Sequence, residues 1–271
     1  MTPPRLFGIP ARDAALVAVL RRGPSDWAHV GRWDLATMTY ETGAWLHGTV
    51  YPQRCDVSPD GRYLCYFALK AGADWSAGPT YVAVSRLPWL TALAAWGTGG
   101  TWTRGLHFVD DRDSWPLEAP DAGDVAPLRR LYGLAVTRPA SFAVERRGGW
   151  TETDTTPEQA HNDVWDEKRA ERIVMQRTNP RGRVVLTVRG GQAAFRGLPD
   201  WFEPPLYALD DDVVVDVQWA DWAPDGRLLV ATVDGRLQVR SGPLYDDVDW
   251  EVDLSGLSPD PQPAPPEAAD W

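Results

Sequence analysis

The chain has 271 residues, of which 27 are Lys or Arg and 38 are Asp or Glu, so its formal net charge at pH 7 is −11. Nucleic acids and anionic membranes require cationic surfaces, and this acidic balance argues against either as the main partner. Hydrophobic residues make up 44% of the chain and 15 residues are Trp, a composition that forms a packed core and not a disordered chain.

The N-terminal residues 1–23 contain one apolar run, 14–20, with charged residues on both sides. A signal peptide carries its cations before the apolar run and small residues after it, so none is expected here. No stretch approaches the roughly 18 apolar residues of a membrane-spanning helix. With only two cysteines, the chain is predicted to be a soluble cytoplasmic protein without a disulfide framework.

A five-residue pattern recurs along the chain, as Ser-Pro-Asp-Gly-Arg at 58–62, Asn-Pro-Arg-Gly-Arg at 179–183 and Ala-Pro-Asp-Gly-Arg at 223–227. Proline fixes φ at the first corner of a turn, and glycine accepts the positive φ that closes a hairpin. The pattern therefore predicts a strand-turn-strand unit. The strands predicted in chain order are 6–9, 14–20, 30–40 with a return from 44, 63–67, 80–85, 184–188, 228–233 and 236–240.

The spacing of the pattern predicts the number of units. Pro180 and Pro224 are 44 residues apart, and the longer gap from Pro59 to Pro180 leaves room for degenerate copies near 99 and 139. A further copy fits at residues 10–13. Four-stranded units of about 40 to 45 residues are typical of β-propeller blades. The sequence thus predicts an all-β, six-bladed propeller with short helical insertions, with five or seven blades as alternatives, in one domain over residues 1–257.

The runs 58–64 and 223–229 resemble the Pro-Asp-Gly repeat of TolB-like propellers, which are related to the WD-repeat class. The resemblance implies a propeller fold and a tendency toward protein binding, and it implies no reaction. Similarity to WD repeats proper is weaker, because Trp33-Asp34 is the one such dipeptide in a suitable strand and no Gly-His pair precedes it.

Segments that interrupt the repeat are candidate binding elements, because loops carry function on rigid scaffolds. In residues 88–96 a proline precedes Trp89, Leu93 and Trp96, which would share one face of a helix. That face either packs on its own blade or binds a partner.

Residues 110–124 form an acidic loop around Trp115 that lacks the calcium-loop pattern and could engage a basic partner.

Two further segments complete the candidates. Residues 154–172 predict a charged helix in which His161 and Trp165 lie four apart on one face. The simpler interpretation of His161 is a surface histidine that takes part in no site. Residues 258–271 contain five prolines and are expected to be an extended, acidic, unpacked tail. Its Asp270-Trp271 end is either a short docking peptide or without a role.

The cysteines and acids raise separate questions. If the first hairpin reverses about Asp60, Cys55 and Cys65 face one another as buried thiols. No spacing of His and Cys suits zinc. Three acids, Asp56, Asp216 and Asp221, fall on predicted inner strands and could line a channel mouth. The equivalent repeat positions of Asp56 and Asp221 favour a structural role for both.

No nucleophile elbow, phosphate loop or metalloprotease motif is present in the sequence. We therefore expect a non-catalytic protein-interaction or scaffold subunit that needs no cofactor or metal and binds a protein partner. A hydrolase or lyase with an Asp-lined site at the channel mouth is the alternative, and a small-molecule or sugar sensor is a third hypothesis.

Overall fold

The structure is a computed structural model, which describes residues 3–23, 26–70, 76–101, 103, 105–115, 119–137, 142–154, 173–190, 205–214 and 216–271. It divides into two compact units, the first consisting of Met1–Pro139 with Ser255–Trp271 and the second of Ala140–Leu254. Residues 255–271 belong to the first unit, and the single domain over 1–257 expected from the sequence stays a prediction. In the described part of the chain, the helices are all too short or too polar to cross a membrane.

The first unit contains three antiparallel sheets. The first sheet is a meander of β1 (Arg5–Pro10), β2 (Leu16–Arg22), β3 (Trp27–Asp34) and β4 (Thr39–His47). The second contains β5 (Thr49–Val50), β6 (Asp56–Val57), β7 (Tyr63–Leu69), β8 (Thr80–Arg86) and β9 (Ala94–Gly97). The third pairs β10 (Gly105–Val109) with β12 (Gly133–Thr137), and between them β11 (Ala122–Gly123) returns to pair with β9.

The second unit contains two antiparallel sheets. One runs in the order β13 (Thr151–Glu152), β14 (Ile173–Thr178), β15 (Val185–Gly190), β16 (Leu206–Leu209) and β17 (Asp212–Val213). The other is a meander of β18 (Val217–Trp222), β19 (Leu228–Thr232), β20 (Arg236–Ser241) and β21 (Asp247–Asp253). In both units, the helical elements among the described residues are short. They are α1 (Ala126–Arg129), α2 (Ala143–Arg147) and two 3₁₀ turns at Pro52–Arg54 and Pro266–Ala269. The all-β class is confirmed.

The repeated pattern forms the predicted turns between consecutive strands. In each turn the glycine amide donates to the carbonyl three residues earlier, with N···O distances of 2.8 Å for Gly61 and Ser58, 3.3 Å for Gly182 and Asn179, and 2.9 Å for Gly226 and Ala223. Gly61 and Gly226 have φ of 75° and 83°, a region that glycine enters without a Cβ penalty. A third Asp-Gly-Arg run, at 234–236, closes the β19–β20 hairpin, and in all three runs the arginine pairs with the aspartate two residues before it.

The described residues form five sheets where six units were expected. The two degenerate copies assigned near 99 and 139 are replaced by one sheet, β10 with β12. A 23-residue insertion, 110–132, separates these two strands and holds the acidic loop and α1. The number of propeller units stays a prediction, with six, five or seven as the possibilities given by the spacing.

The first hairpin also corrects the predicted cysteine register. The turn is flanked by the Ser58 amide bonded to the Tyr63 carbonyl, so Cys65 faces Asp56 and not Cys55. A shift of one residue moves a side chain to the other face of a strand. Both cysteines are reduced and buried, and the Cys55 thiol donates to the carbonyl of Tyr51.

Candidate functional site

An aromatic side chain flanked by two arginines lies at the start of β7. Tyr63 directly follows the first Pro-Asp-Gly turn, and its register partner on β8 is Arg86. The guanidinium carbons of Arg62 and Arg86 lie 5.5 Å and 5.6 Å from the centroid of the Tyr63 ring. Both distances fall within the range of cation–π attraction. Tyr132, from the insertion, meets the same ring edge to face with a centroid separation of 6.2 Å. We call the surface formed by Arg62, Tyr63, Arg86 and Tyr132 the Tyr63 seat.

A polar network fixes one side of the Tyr63 seat. Arg62 Nη2 donates to the Tyr132 hydroxyl at 3.1 Å, and Arg62 Nε donates to Asp60. Burial opposes ionisation of the Asp60 carboxyl, but hydrogen bonds from Tyr132, Ser58 and Arg62 outweigh it and lower its pKa. Interactions with Tyr132 and Asp60 raise the pKa of Arg62. The Arg62 guanidinium is therefore held in place beside the aromatic surface, paired with the Asp60 carboxylate.

Residues 266–271 of the same chain occupy the Tyr63 seat. The 3₁₀ turn Pro266–Ala269 is closed by the Ala268 amide donating to the Pro265 carbonyl at 2.9 Å, and Ala268 is 0% exposed. Arg86 Nε donates to the Asp270 carbonyl at 2.5 Å. The Trp271 ring lies against the Tyr63 ring with a centroid separation of 5.7 Å and a tilt of 48°. We call residues 266–271 the docked segment.

The docked segment is the end of a longer stretch, residues 255–271, which belongs to the first unit and which we call the strap. Arg21 Nη2 donates to the carbonyl of Leu257 at 2.7 Å, so two arginines, Arg21 and Arg86, hold the strap by its backbone. The expectation of an unpacked tail was therefore wrong. Proline-rich composition prevents helix and sheet pairing, but an extended chain can still bury an alanine and an aromatic ring against a preformed surface.

The segment predicted as a partner-binding helix is not helical. Residues 94–97 form β9, in which Trp96 faces Val82 of β8, and both Leu93 and Trp96 belong to the core of the first unit. Packing, one of the two interpretations of this segment, accounts for these side chains. Trp89 is half-buried, and its backbone carbonyl accepts a hydrogen bond from the Ser85 hydroxyl.

The remaining aromatic candidates have different positions. Trp115 lies in the insertion, packs at the edge of the core that also contacts Tyr132 and Trp271, and is covered by the guanidinium of Arg129 at 4.8 Å. It thus borders the same core as the Tyr63 seat. His161 and Trp165, and the helix predicted around them, lie outside the described residues.

Two of the three acids proposed to line a channel mouth join neighbouring strands of different sheets. Asp56 Oδ2 accepts the Phe108 amide of β10 at 2.8 Å. Asp221, which is 4% exposed, accepts Arg177 Nη1 of β14 at 2.5 Å. Asp216 is exposed at a left-handed position, φ 59°, before β18. The repeat-equivalent acids Asp56 and Asp221 therefore share a bridging role.

Asp221 belongs to a buried polar cluster of the second unit. Burial raises the pKa of the Asp221 carboxyl, although Arg177 favours the charged form. Burial also raises the pKa of the Tyr207 phenol, and the carboxylates of Glu145 and Asp221 act in the same direction. Among the described residues, no group of three or more His, Cys, Asp and Glu side chains is arranged to hold a metal ion.

The residues of the Tyr63 seat come from three distant points of the sequence, and the docked segment comes from a fourth. Asp270-Trp271 carried a signal, since an acidic residue before an exposed aromatic is typical of docking peptides. Tyr63, Arg86 and Tyr132 carried none, because strand register and the insertion bring them together. No protein-family model matches the chain, and no curated protein matches it significantly.

Proposed function

We propose that this chain is a β-propeller of the TolB-like kind in which the five sheets are the blades. The support is that the sheets are built mainly from strands that follow one another in the chain, and that a Pro-x-Gly turn joins paired strands in three of them, β6 with β7, β14 with β15 and β18 with β19. Five blades was one of the alternatives left open by the spacing. An experimentally determined structure in which the sheets are not arranged radially about one axis would refute this proposal.

The propeller works as a protein-interaction module, and the Tyr63 seat is its partner-binding surface. One observation carries this: a peptide segment, residues 266–271, is bound there through an aromatic ring, a buried small side chain and a backbone carbonyl. These are the contacts by which protein surfaces bind extended peptides, with aromatic and arginine side chains as the main contributors to affinity.

The alternative of a hydrolase or lyase has less support. Asp56 and Asp221 each use a carboxylate oxygen to hold a neighbouring strand, and Asp221 is buried. A group that is withdrawn from solvent and already paired is poorly placed to reach a substrate. No feature of the described residues specifically favours a sugar sensor.

Affinity purification of the tagged full-length chain from its native source tests the proposed function. In the Trp271→Ala background, which removes the ring of residue 271 from the seat, we expect one protein partner near 1:1 stoichiometry. It should be recovered in smaller amount when Arg86→Ala is added than when Arg189→Ala is added; Arg189 is an exposed arginine on β15 that serves as a matched control. The proposal fails if no stoichiometric partner is recovered, or if Arg86→Ala and Arg189→Ala recover it equally.

A further inference from the structure

The docked segment contacts the first unit in a way that distinguishes its positions. The side chain at 268 is completely buried, whereas residues 267, 269 and 270 are exposed. At 270 the contact with Arg86 is made by the backbone carbonyl, which every residue possesses. At 271 the contact is made by the aromatic ring. The completely buried position 268 therefore has room for a small side chain, the ring that meets Tyr63 follows three positions later, and the positions between them are exposed.

The local conformation of the segment is also favourable for binding. Prolines at 265 and 266 restrict φ at the N-cap and the first position of the 3₁₀ turn, and the Ala268 amide closes that turn by donating to the Pro265 carbonyl. A ligand that is already restricted loses less conformational entropy when it binds. A proline-preceded turn that presents a small residue and then an aromatic ring is therefore a suitable free ligand.

Charge favours an acidic ligand at this surface. The docked segment carries Glu267 and Asp270; in the seat Arg62 is paired with Asp60, so the attraction comes from Arg86. The carboxylates of the segment are exposed, so their contribution is long-range attraction and faster association, and it is weakened by salt. The aromatic and backbone contacts remain at high salt.

We propose that the Tyr63 seat binds, in trans, a linear segment of another protein with the pattern small-x-x-aromatic, preceded by proline and flanked by acidic residues. The docked segment is the intramolecular competitor of that ligand. This inference rests on the proposed function and adds to it the chemical class of the partner. The pattern is recognised through the burial of position 268, the Arg86 guanidinium and the Tyr63 ring.

The competition has a calculable size. A segment tethered close to its own site has an effective concentration of about 1 mM. If a free peptide binds the open seat with a dissociation constant of about 10 µM, the docked segment weakens its apparent binding by about 100-fold. Release of the docked segment should restore that affinity without any change to the seat.

Fluorescence anisotropy with a labelled, C-terminally amidated peptide of residues 261–271 tests the proposal on the full-length chain. The seat is opened by Trp271→Ala in the protein, with Ala268→Glu as a second opening variant. We expect the peptide to bind both variants about 10- to 100-fold more tightly than it binds the wild-type chain. Adding Arg86→Ala to the open variant should remove most of the gain, and adding Arg189→Ala should not.

Peptide variants test the pattern itself. A peptide with Ala268→Leu or Trp271→Ala should bind the open chain about tenfold more weakly or worse, whereas Ala269→Ser should bind equally. Equal binding of the Ala268→Leu peptide and the unsubstituted peptide would overturn the pattern, as would failure of every peptide to bind a folded open variant. Dimers of the wild-type chain that disappear on Trp271→Ala would overturn the foreign partner in favour of a second copy. A partner recovered by purification despite negative peptide results would leave the proposed function standing and refute only this ligand class.

Discussion

Substitution of Gly31 by alanine should destabilise the first sheet through a clash with one identifiable ring. Gly31 lies on β3, and the Tyr40 side chain of the adjacent β4 crosses directly over it. A Cβ built at Gly31 would lie 2.0 Å from Tyr40 Oη and 2.3 Å from Cζ, where ordinary contacts begin near 3.4 Å. The backbone at Gly31 is not in the left-handed region, so the effect is purely steric.

The size of the loss follows from how far the ring must move. Relief of the clash requires a displacement of about 1.4 Å, and inserting a methyl group into a packed site costs about 1 to 3 kcal/mol. Against this, alanine in a strand interior is favoured over glycine by about 0.5 to 1 kcal/mol. We therefore expect a net decrease of about 1 to 2 kcal/mol in the free energy of unfolding.

Urea denaturation of Gly31→Ala, Tyr40→Ala and the double variant, followed by tryptophan fluorescence, measures this coupling. In the Tyr40→Ala background, Gly31→Ala should be neutral or stabilising, giving a coupling energy of about 1 to 3 kcal/mol. Gly100→Ala is the control, because no heavy atom lies within 4 Å of its added Cβ. If Gly31→Ala costs the same with and without the Tyr40 ring, the steric explanation is wrong.

Three further outcomes concern buried and turn charges. Burial, with Arg21 nearby, lowers the pKa of His29 to about 4. Between about pH 6.5 and 4 the folded chain therefore binds fewer protons than the unfolded chain, and the free energy of unfolding falls by up to about 3 kcal/mol as the pH is lowered through this range. His29→Phe should flatten this part of the stability curve, and an unchanged slope would contradict the assignment. Arg177→Met should lower the free energy of unfolding by about 3 to 5 kcal/mol at pH 7, because it leaves the buried Asp221 carboxylate without its ion-pair partner. Burial raises the pKa of that carboxyl, so the loss should shrink in acid as the carboxyl protonates. A loss that denaturation shows to be independent of pH would count against this explanation. Asp225→Asn should cost less than about 1 kcal/mol at neutral pH and nothing below the carboxyl's pKa, because hydrogen bonds from Arg227 outweigh burial and lower that pKa; thermal melts at pH 7 and in acid check the difference.

The strands and turns governed by local chemistry were predictable. Proline at the second turn position and glycine at the fourth determine the hairpins at 58–62 and 223–227 whatever surrounds them. The predicted helix at 88–96 failed because its apolar spacing at 0, 4 and 7 is also satisfied by loop and strand residues. Pairing of Trp96 with Val82 across β8 and β9 decided the outcome, and that pairing depends on tertiary structure.

The candidate site was less predictable than the fold. The tail offered a hint in Asp270-Trp271, but its receptor combines a turn residue, a strand end and an insertion residue. Tyr63 and Arg86 are neighbours because they face each other in the register of β7 and β8. Tyr132 contacts Tyr63 from the last position of the insertion at 110–132. Neither fact is encoded in a local pattern, so the contact emerges only from the folded structure.

The first unit is discontinuous in the chain, since residues 255–271 complete it after the whole of 140–254 has been inserted. Residues 255–271 are translated after residues 140–254, so Trp271 reaches the Tyr63 ring only when the second unit has already been made. The first unit thus gains this aromatic contact last.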